Sequence, residues 1–109
     1  MDRDQFENIL DAQIKRVRDV LVLKATEYAN EDRLANFKKA AVLAGRGIPQ
    51  IIGGMMIKHT VSIYDMIESG KPYSIDVWNE KITDHINYLI LLRASLIENA
   101  NSDQGTLSC

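Results

Sequence analysis

The chain carries its apolar residues at helical intervals almost throughout. Phe6, Leu10, Ile14, Val17 and Leu21 follow one another at steps of 4, 4, 3 and 4, the spacing of one face of an α-helix. No Gly or Pro interrupts this stretch. Asp2 and Asp4 stand where a helix N-terminus favours negative charge. The pattern predicts one long helix from Asp4 to Ala29, with Lys24 and Tyr28 continuing the line of its core face. Asn30-Glu31-Asp32 breaks the period. Asp32 is a suitable N-cap for a second helix over Arg33–Ala44, whose expected buried side is Leu34, Phe37, Ala41 and Ala44. Gly45-Arg46-Gly47 ends it, glycine supplying the left-handed stop.

Pro49 fits the first turn of a third helix, where its missing N–H costs nothing. That helix is expected to reach Glu68, with Ile52, Met56, Ile63 and Ile67 inside. Gly53-Gly54 weakens its early turns by about 1 kcal/mol per glycine relative to alanine, a choice that a close helix crossing would explain. Ser69-Gly70-Lys71-Pro72 is a stop and turn. Ser74 or Asp76 caps a fourth helix running to about Asn99, with Trp78, Ile82, Ile86, Leu89 and Leu96 on one face. Its second half, Leu89-Ile90-Leu91-Leu92, is apolar nearly all round, as in a helix central to a bundle or engaged in an oligomer. No segment alternates with the period of a strand. The expected fold is all-α, a four-helix, bundle-like single domain over residues 1–98 with long first and fourth helices. Residues 99–109 are expected to form a flexible polar tail.

Composition narrows the function classes. The 109 residues hold 13 Lys+Arg against 15 Asp+Glu, a net charge of −2. That leaves no basic excess for sequence-independent nucleic-acid binding, and the densest basic cluster, Lys15, Arg16 and Arg18, reads as a solvated face. Cys109 is the single cysteine, which excludes an intramolecular disulfide and a zinc site built on several thiolates. Met-Asp-Arg-Asp at the start lacks the apolar core of a signal peptide. No apolar run approaches the roughly 20 residues of a membrane span. A cytoplasmic location and no membrane partner are therefore expected.

Chemistry is concentrated in the last two predicted helices. Glu80, Asp84 and Asn87 lie on one helical stripe that runs into apolar Leu91, so they could look into a cleft between helices. Two carboxylates and an amide oxygen suit a hard cation such as Mg²⁺, with waters and a phosphate completing its shell. The competing reading is a solvated face. Asp65 and Glu68 form a second acidic pair near the end of the third helix, and Lys58 stands on the Asp65 stripe. If the third and fourth helices are antiparallel neighbours, Asp65, Glu68, Glu80 and Asp84 could converge as bundle ligands do. His59 and His85 border the apolar lines and read as hydrogen-bonded boundary residues. No Ser or Cys nucleophile pairs with either, so triad chemistry has no support. The glycines complete no phosphate-loop or dinucleotide fingerprint. Met55-Met56 reads as core. Lys24 and Tyr28, one turn apart, form a further polar pair on a buried line.

Four stretches carry a resemblance: Lys24-x-x-Glu27-Tyr28; Asp32-Arg33-Leu34-x-Asn36-Phe37-Lys38-x-Ala40-Ala41; Gly54-Met55-Met56-x-Lys58-His59; and Glu80-Lys81-x-x-Asp84-x-x-Asn87-Tyr88. Over roughly residues 20–97 the chain resembles a family of small all-helical phage and prophage proteins. More distantly it is similar to nucleotide-modification-associated phage domains, and through them to all-α nucleoside triphosphate pyrophosphatases of the MazG and dimeric dUTPase type. In that last group Glu-x-x-Glu on one helix and Glu-x-x-Asp on the next bind Mg²⁺. The corresponding positions here are Asp65-x-x-Glu68 and Glu80-x-x-x-Asp84, the first opening with Asp and the second one residue wider.

The resemblance implies a nucleotide or other phosphate ligand, with Mg²⁺ as cofactor and an Mg²⁺-dependent pyrophosphohydrolase-like activity. In that scheme Glu80 and Asp84 are catalytic, and Asp65, Glu68, Glu80 and Asp84 hold the metal. Lys24, Tyr28, Lys58 and Asn87 contact the ligand. The alternative is a non-enzymatic interaction protein, a phage factor acting on a host or phage protein in the host cytoplasm. A homodimer is expected on either reading, because the bundle is small and its last helix is apolar all round. Nucleic acid fits poorly with the acidic balance.

Overall fold

In the computed structural model, residues 1–23 and 32–102 are described. Among them the chain is all-α, with four α-helices and no strand. The helices are α1 (Arg3–Arg18), α2 (Ala35–Ala44), α3 (Ile48–Ser69) and α4 (Ile75–Ser102). The residues group into two compact units, Met1–Glu31 and Asp32–Cys109.

The first unit contains α1. Its start is fixed by a reciprocal cap. Asp2 Oδ1 accepts from the Gln5 N–H at 2.8 Å, and Gln5 Oε1 accepts from the Asp2 N–H at 2.9 Å. Such a cap satisfies two otherwise orphaned donors. Lys15, Arg16 and Arg18 fill the last turn, where the helix dipole favours cations. The expected helix to Ala29 is not uniform: the ladder widens into a π-helical turn over Asp19–Leu23. Two β-branched residues, Val20 and Val22, stand there, where α-helix propensity is low. No residue of α1 is buried. Lys24 and Tyr28 lie outside the described residues.

The second unit contains α2, α3 and α4. α2 begins two residues later than expected. Asp32 does not cap it directly; its Oδ1 accepts from the Leu34 N–H at 2.9 Å in a turn that leads into the helix. Such side-chain turns compete with helical hydrogen bonding at this residue type. Gly45, at φ +65°, stops α2, and the α3 axis leaves at 100° to it. Gly70, at φ +63°, stops α3. The Ser74 hydroxyl, rather than Asp76, caps α4 by accepting from the Val77 N–H at 3.3 Å.

α3 and α4 pack as an antiparallel pair. The His59 ring meets Tyr88, and the Thr60 hydroxyl lies 2.8 Å from His85 Nε2, so one step forward on α3 goes back along α4. Extending that register puts Ile52 level with Ser95, and both are fully buried. Burying an isoleucine side chain contributes roughly 1.5–3 kcal/mol. The Ser95 hydroxyl is satisfied by the Leu92 carbonyl at 2.8 Å. α2 closes this end: Lys38 Nζ reaches Glu98 of α4 at 2.6 Å and Asp32 at 2.7 Å. Leu34, Ala41 and Ala100 complete the buried set here.

Several expected core positions differ. Met66, not Ile67, is buried on α3, and Ala44 on α2 is exposed. On α4 the difference is larger. Ile82, Leu89 and Leu96 are exposed, whereas Thr83, Asn87 and Ser95 are buried. Thr83, Asn87 and Ser95 recur at multiples of four, and small side chains on such a row let a neighbouring backbone approach closely. The apolar residues continue around the helix, so their period did not mark the inner face. α4 also runs to Ser102 with Ala100 buried, so the expected tail is helical in its first residues. Residues 103–109 lie outside the described set.

Candidate functional site

α3 presents two adjacent rows at four-residue spacing, Gln50-Gly54-Lys58 and Ile51-Met55-His59. Residues four apart share a helix face, so both rows look the same way. Together with the end of α2, Arg46 of the α2–α3 turn and Tyr88 of α4, they border an open groove of about 500 Å³. Gly54 stands midway between Gln50 and Lys58. A Cβ placed there would meet nothing within 4 Å. The expected close helix crossing at Gly53-Gly54 is therefore absent. At Gly54 the missing side chain leaves the floor of the groove open instead. Gly47 serves differently: a Cβ there would collide with the Gln50 side chain, so glycine at this turn lets Gln50 fold back over it.

The electrostatics of the groove are one-sided. Arg46 and Lys58 supply two cations, and no carboxylate is part of the lining. Among the described residues neither cation is ion-paired. α3 starts at the same place. Its N-cap, Gly47, offers no side-chain cap, and Gln50 and Ile51 of its first turn line the groove. The partial positive charge of a helix N-terminus thus adds to the field of Arg46. At the other end His59 and Tyr88 meet with ring centroids 4.8 Å apart and a tilt of 40°. The arrangement offers cations for an anionic group and aromatic surface for a flat one.

Of the residues expected at the site, Lys58 is in the groove, and Asn87, which precedes Tyr88 in sequence, is not part of the lining. Asn87 is only 6% exposed, and its Oδ1 has no hydrogen-bond partner. Lys58 also borders a second hollow of about 490 Å³, on which Asp65, Ser62 and Tyr73 open. Glu68 and Glu80 are exposed and Asp84 is half-buried. The stripe Glu80-Asp84-Asn87 therefore passes from solvent to interior within two turns. No three of Asp65, Glu68, Glu80 and Asp84 are grouped around a common point. Among the described residues no group of three or more His, Cys, Asp or Glu side chains is placed to hold a metal ion. These side chains do not form the four-carboxylate Mg²⁺ cradle that the resemblance implies.

His85 is the hydrogen-bonded boundary residue expected of it, through Thr60. His59 and Met55, read from the sequence as boundary and core, line the groove. Arg46, Gln50 and Gly54 were not singled out as site residues. The signal that marks them is the four-residue spacing of Gln50, Gly54 and Lys58 behind a Gly-Arg-Gly turn.

The chain is an all-α protein with a cationic, aromatic-edged surface groove. Compared with protein-family models, curated proteins and solved structures, it matches none of them. Among the described residues no single helix is long and apolar enough to cross a membrane.

Proposed function

We infer that this protein binds a phosphate-bearing ligand, most naturally a nucleotide, in the groove between α2, α3 and Tyr88. One observation carries the reading: Arg46, Lys58 and the uncapped start of α3 face one groove that contains no carboxylate. A phosphate bound there would gain charge-assisted hydrogen bonds. The His59–Tyr88 pair offers a ring surface on which a base can rest. The sequence resemblance to nucleotide-handling helical proteins points the same way.

The test is titration calorimetry of the full chain with nucleoside mono-, di- and triphosphates, with and without MgCl₂. Lys58→Ala and Arg46→Ala should each weaken binding by roughly ten- to a hundredfold, since hydrogen bonds to charged groups contribute about 1.5–3 kcal/mol. Unchanged affinity in both variants would overturn the reading. An Mg²⁺-dependent pyrophosphohydrolase activity rests on the resemblance, not on a preformed cluster of carboxylates. It is tested by pyrophosphate release from the common NTPs and dNTPs, comparing the natural chain with Asp84→Ala.

A second reading has its own support. Ile75, Ile82, Leu89 and Leu96 recur at seven-residue intervals on α4, and all are exposed. A continuous apolar seam of this kind marks a protein-interaction surface. On this reading the chain is a non-enzymatic phage factor that binds a host or phage protein, and Leu89→Asp abolishes partner binding while leaving nucleotide affinity untouched.

A further inference from the structure

α1 carries an apolar stripe that the described residues of its own unit leave largely uncovered. Phe6, Leu10 and Ile14 are 60%, 47% and 51% exposed, and the stripe continues through Val17 and Leu21. An open hollow of about 630 Å³ runs beside Phe6 and Leu10. Next to the stripe lies a charged row with matching intervals. Asp4, Glu7, Asp11, Lys15 and Arg18 follow at steps of 3, 4, 4 and 3, so they share one flank of the helix. The row is acidic in its first half and basic in its second.

We propose that α1 pairs antiparallel with α1 of a second copy of this chain. In an antiparallel helix pair the same flank of each helix faces the other, running in opposite directions. Setting Glu7 opposite the second copy's Arg18 also sets Asp11 opposite its Lys15, because 7 + 18 and 11 + 15 differ by only one residue. That register seats Leu10 between Ile14 and Val17 of the other copy, and Phe6 between its Val17 and Leu21, the knobs-into-holes arrangement of paired helices. Charge and apolar patterns thus select the same alignment. In a parallel pair the same flank of each helix lies on opposite sides of the interface, so the acidic and basic halves of the row would gain no contact with each other. Lys15 already holds Asp19 of its own helix at 2.6 Å, but the lysine is 75% exposed. A surface pair of that kind is weak and yields readily to a better-placed carboxylate. An anionic lipid surface is a poorer occupant, because acidic side chains flank the stripe through its first half. The proposal does not depend on the groove, since no groove residue belongs to α1.

Sedimentation equilibrium of the full chain tests it. The natural chain should be a dimer. Glu7→Lys with Asp11→Lys makes the row basic except at Asp4, and Lys15→Glu with Arg18→Glu makes it acidic throughout. Each double variant should dimerise at least tenfold more weakly, with helicity by circular dichroism unchanged. All four substitutions together should restore the dimer, which also separates lost pairing from lost folding. A natural chain that stays monomeric at every concentration would overturn the proposal. So would double variants that dimerise as well as the natural chain, which would move the interface to another surface such as the Leu89 seam of α4.

Discussion

The rings of His59 and Tyr88 face each other across the α3–α4 contact with centroids 4.8 Å apart and a tilt of 40°. One ring comes from each helix, so the pair both joins the helices and forms an edge of the groove. The two roles separate by substitution. Tyr88→Phe keeps the ring and should retain ligand affinity within about twofold, a difference of less than half a kcal/mol. Tyr88→Ala removes the stacking surface, and base–aromatic stacking contributes roughly 1–3 kcal/mol. Affinity for a nucleoside triphosphate should then fall about tenfold or more, whereas affinity for inorganic pyrophosphate, which has no base, should change little. Calorimetry with both ligands reads the contrast.

Gly53, Gly54 and Gly70 sit in or at the end of the same helix for different reasons, and alanine or methionine substitutions tell them apart. Gly53 has helical backbone and empty space where a Cβ would go. Gly53→Ala should raise stability by about 0.5–1 kcal/mol, the usual gain within a helix. Gly70 holds φ +63°, a conformation that costs an L-residue roughly 1–2 kcal/mol, so Gly70→Ala should lower stability by about that amount. Gly54→Met should leave folding intact and fill the groove, abolishing ligand binding. Urea midpoints for all three, with a binding titration for the last, make the comparison.

Local signals in the sequence were reliable where backbone chemistry decides. Gly45 and Gly70 end their helices, Pro49 opens α3, and α2, α3 and α4 stand within a few residues of where apolar period and stop residues put them, whereas α1 gives way to a π-helical turn after Arg18. Side-chain depth on α4 was not legible. With apolar residues on nearly every side of Leu89–Leu92, burial there depends on which neighbour approaches, and a linear pattern holds no record of that. The groove was partly legible. Lys58 is among the expected ligand contacts and Gln50 shares its row on α3, but Arg46 and the end of α2 join them only because α2 and α3 turn through 100° at Gly45-Arg46-Gly47. The acidic stripe shows the same limit. Residues that share a helix stripe need not share a partner, and Glu80 stays in solvent while Asn87, two turns on, is buried.

Asn87 has its Oδ1 buried without a hydrogen-bond partner. A buried polar group left unsatisfied costs about 1–3 kcal/mol. Asn87→Leu has similar size and removes that cost, so it should leave stability unchanged or raise it by about 1 kcal/mol. Asn87→Asp places a carboxylate in the same setting and should destabilise the chain, increasingly as pH rises and the group ionises. Urea titrations of both variants at pH 5 and pH 8 provide the check. A loss of stability in Asn87→Leu would mean that the amide contributes through a partner bound in solution.

Lys38 ties the turn before α2 to α4, and its two carboxylate contacts make stability depend on pH. Its ammonium, 2.7 Å from Asp32 and 2.6 Å from Glu98, holds the Asp32 carboxyl below its ordinary value, helped by the Leu34 N–H. Asp32 first, and then Glu98, raise the pKa of Lys38 in turn. A depressed carboxylate pKa contributes stability that is present above its unfolded value and lost as pH falls through the folded one. A raised lysine pKa contributes stability that is present below its unfolded value and lost as pH rises through the folded one. At neutral pH both contributions are intact. Lys38→Met keeps the apolar stem and removes the charge. It should therefore lower the urea midpoint at pH 7, and the gap to the natural chain should narrow as pH is taken down through the acidic range. The gap should also shrink with added salt, because these side chains are partly exposed and such pairs are screened. A gap that stayed constant from pH 7 to pH 2 would assign the effect to packing of the lysine stem rather than to its charge.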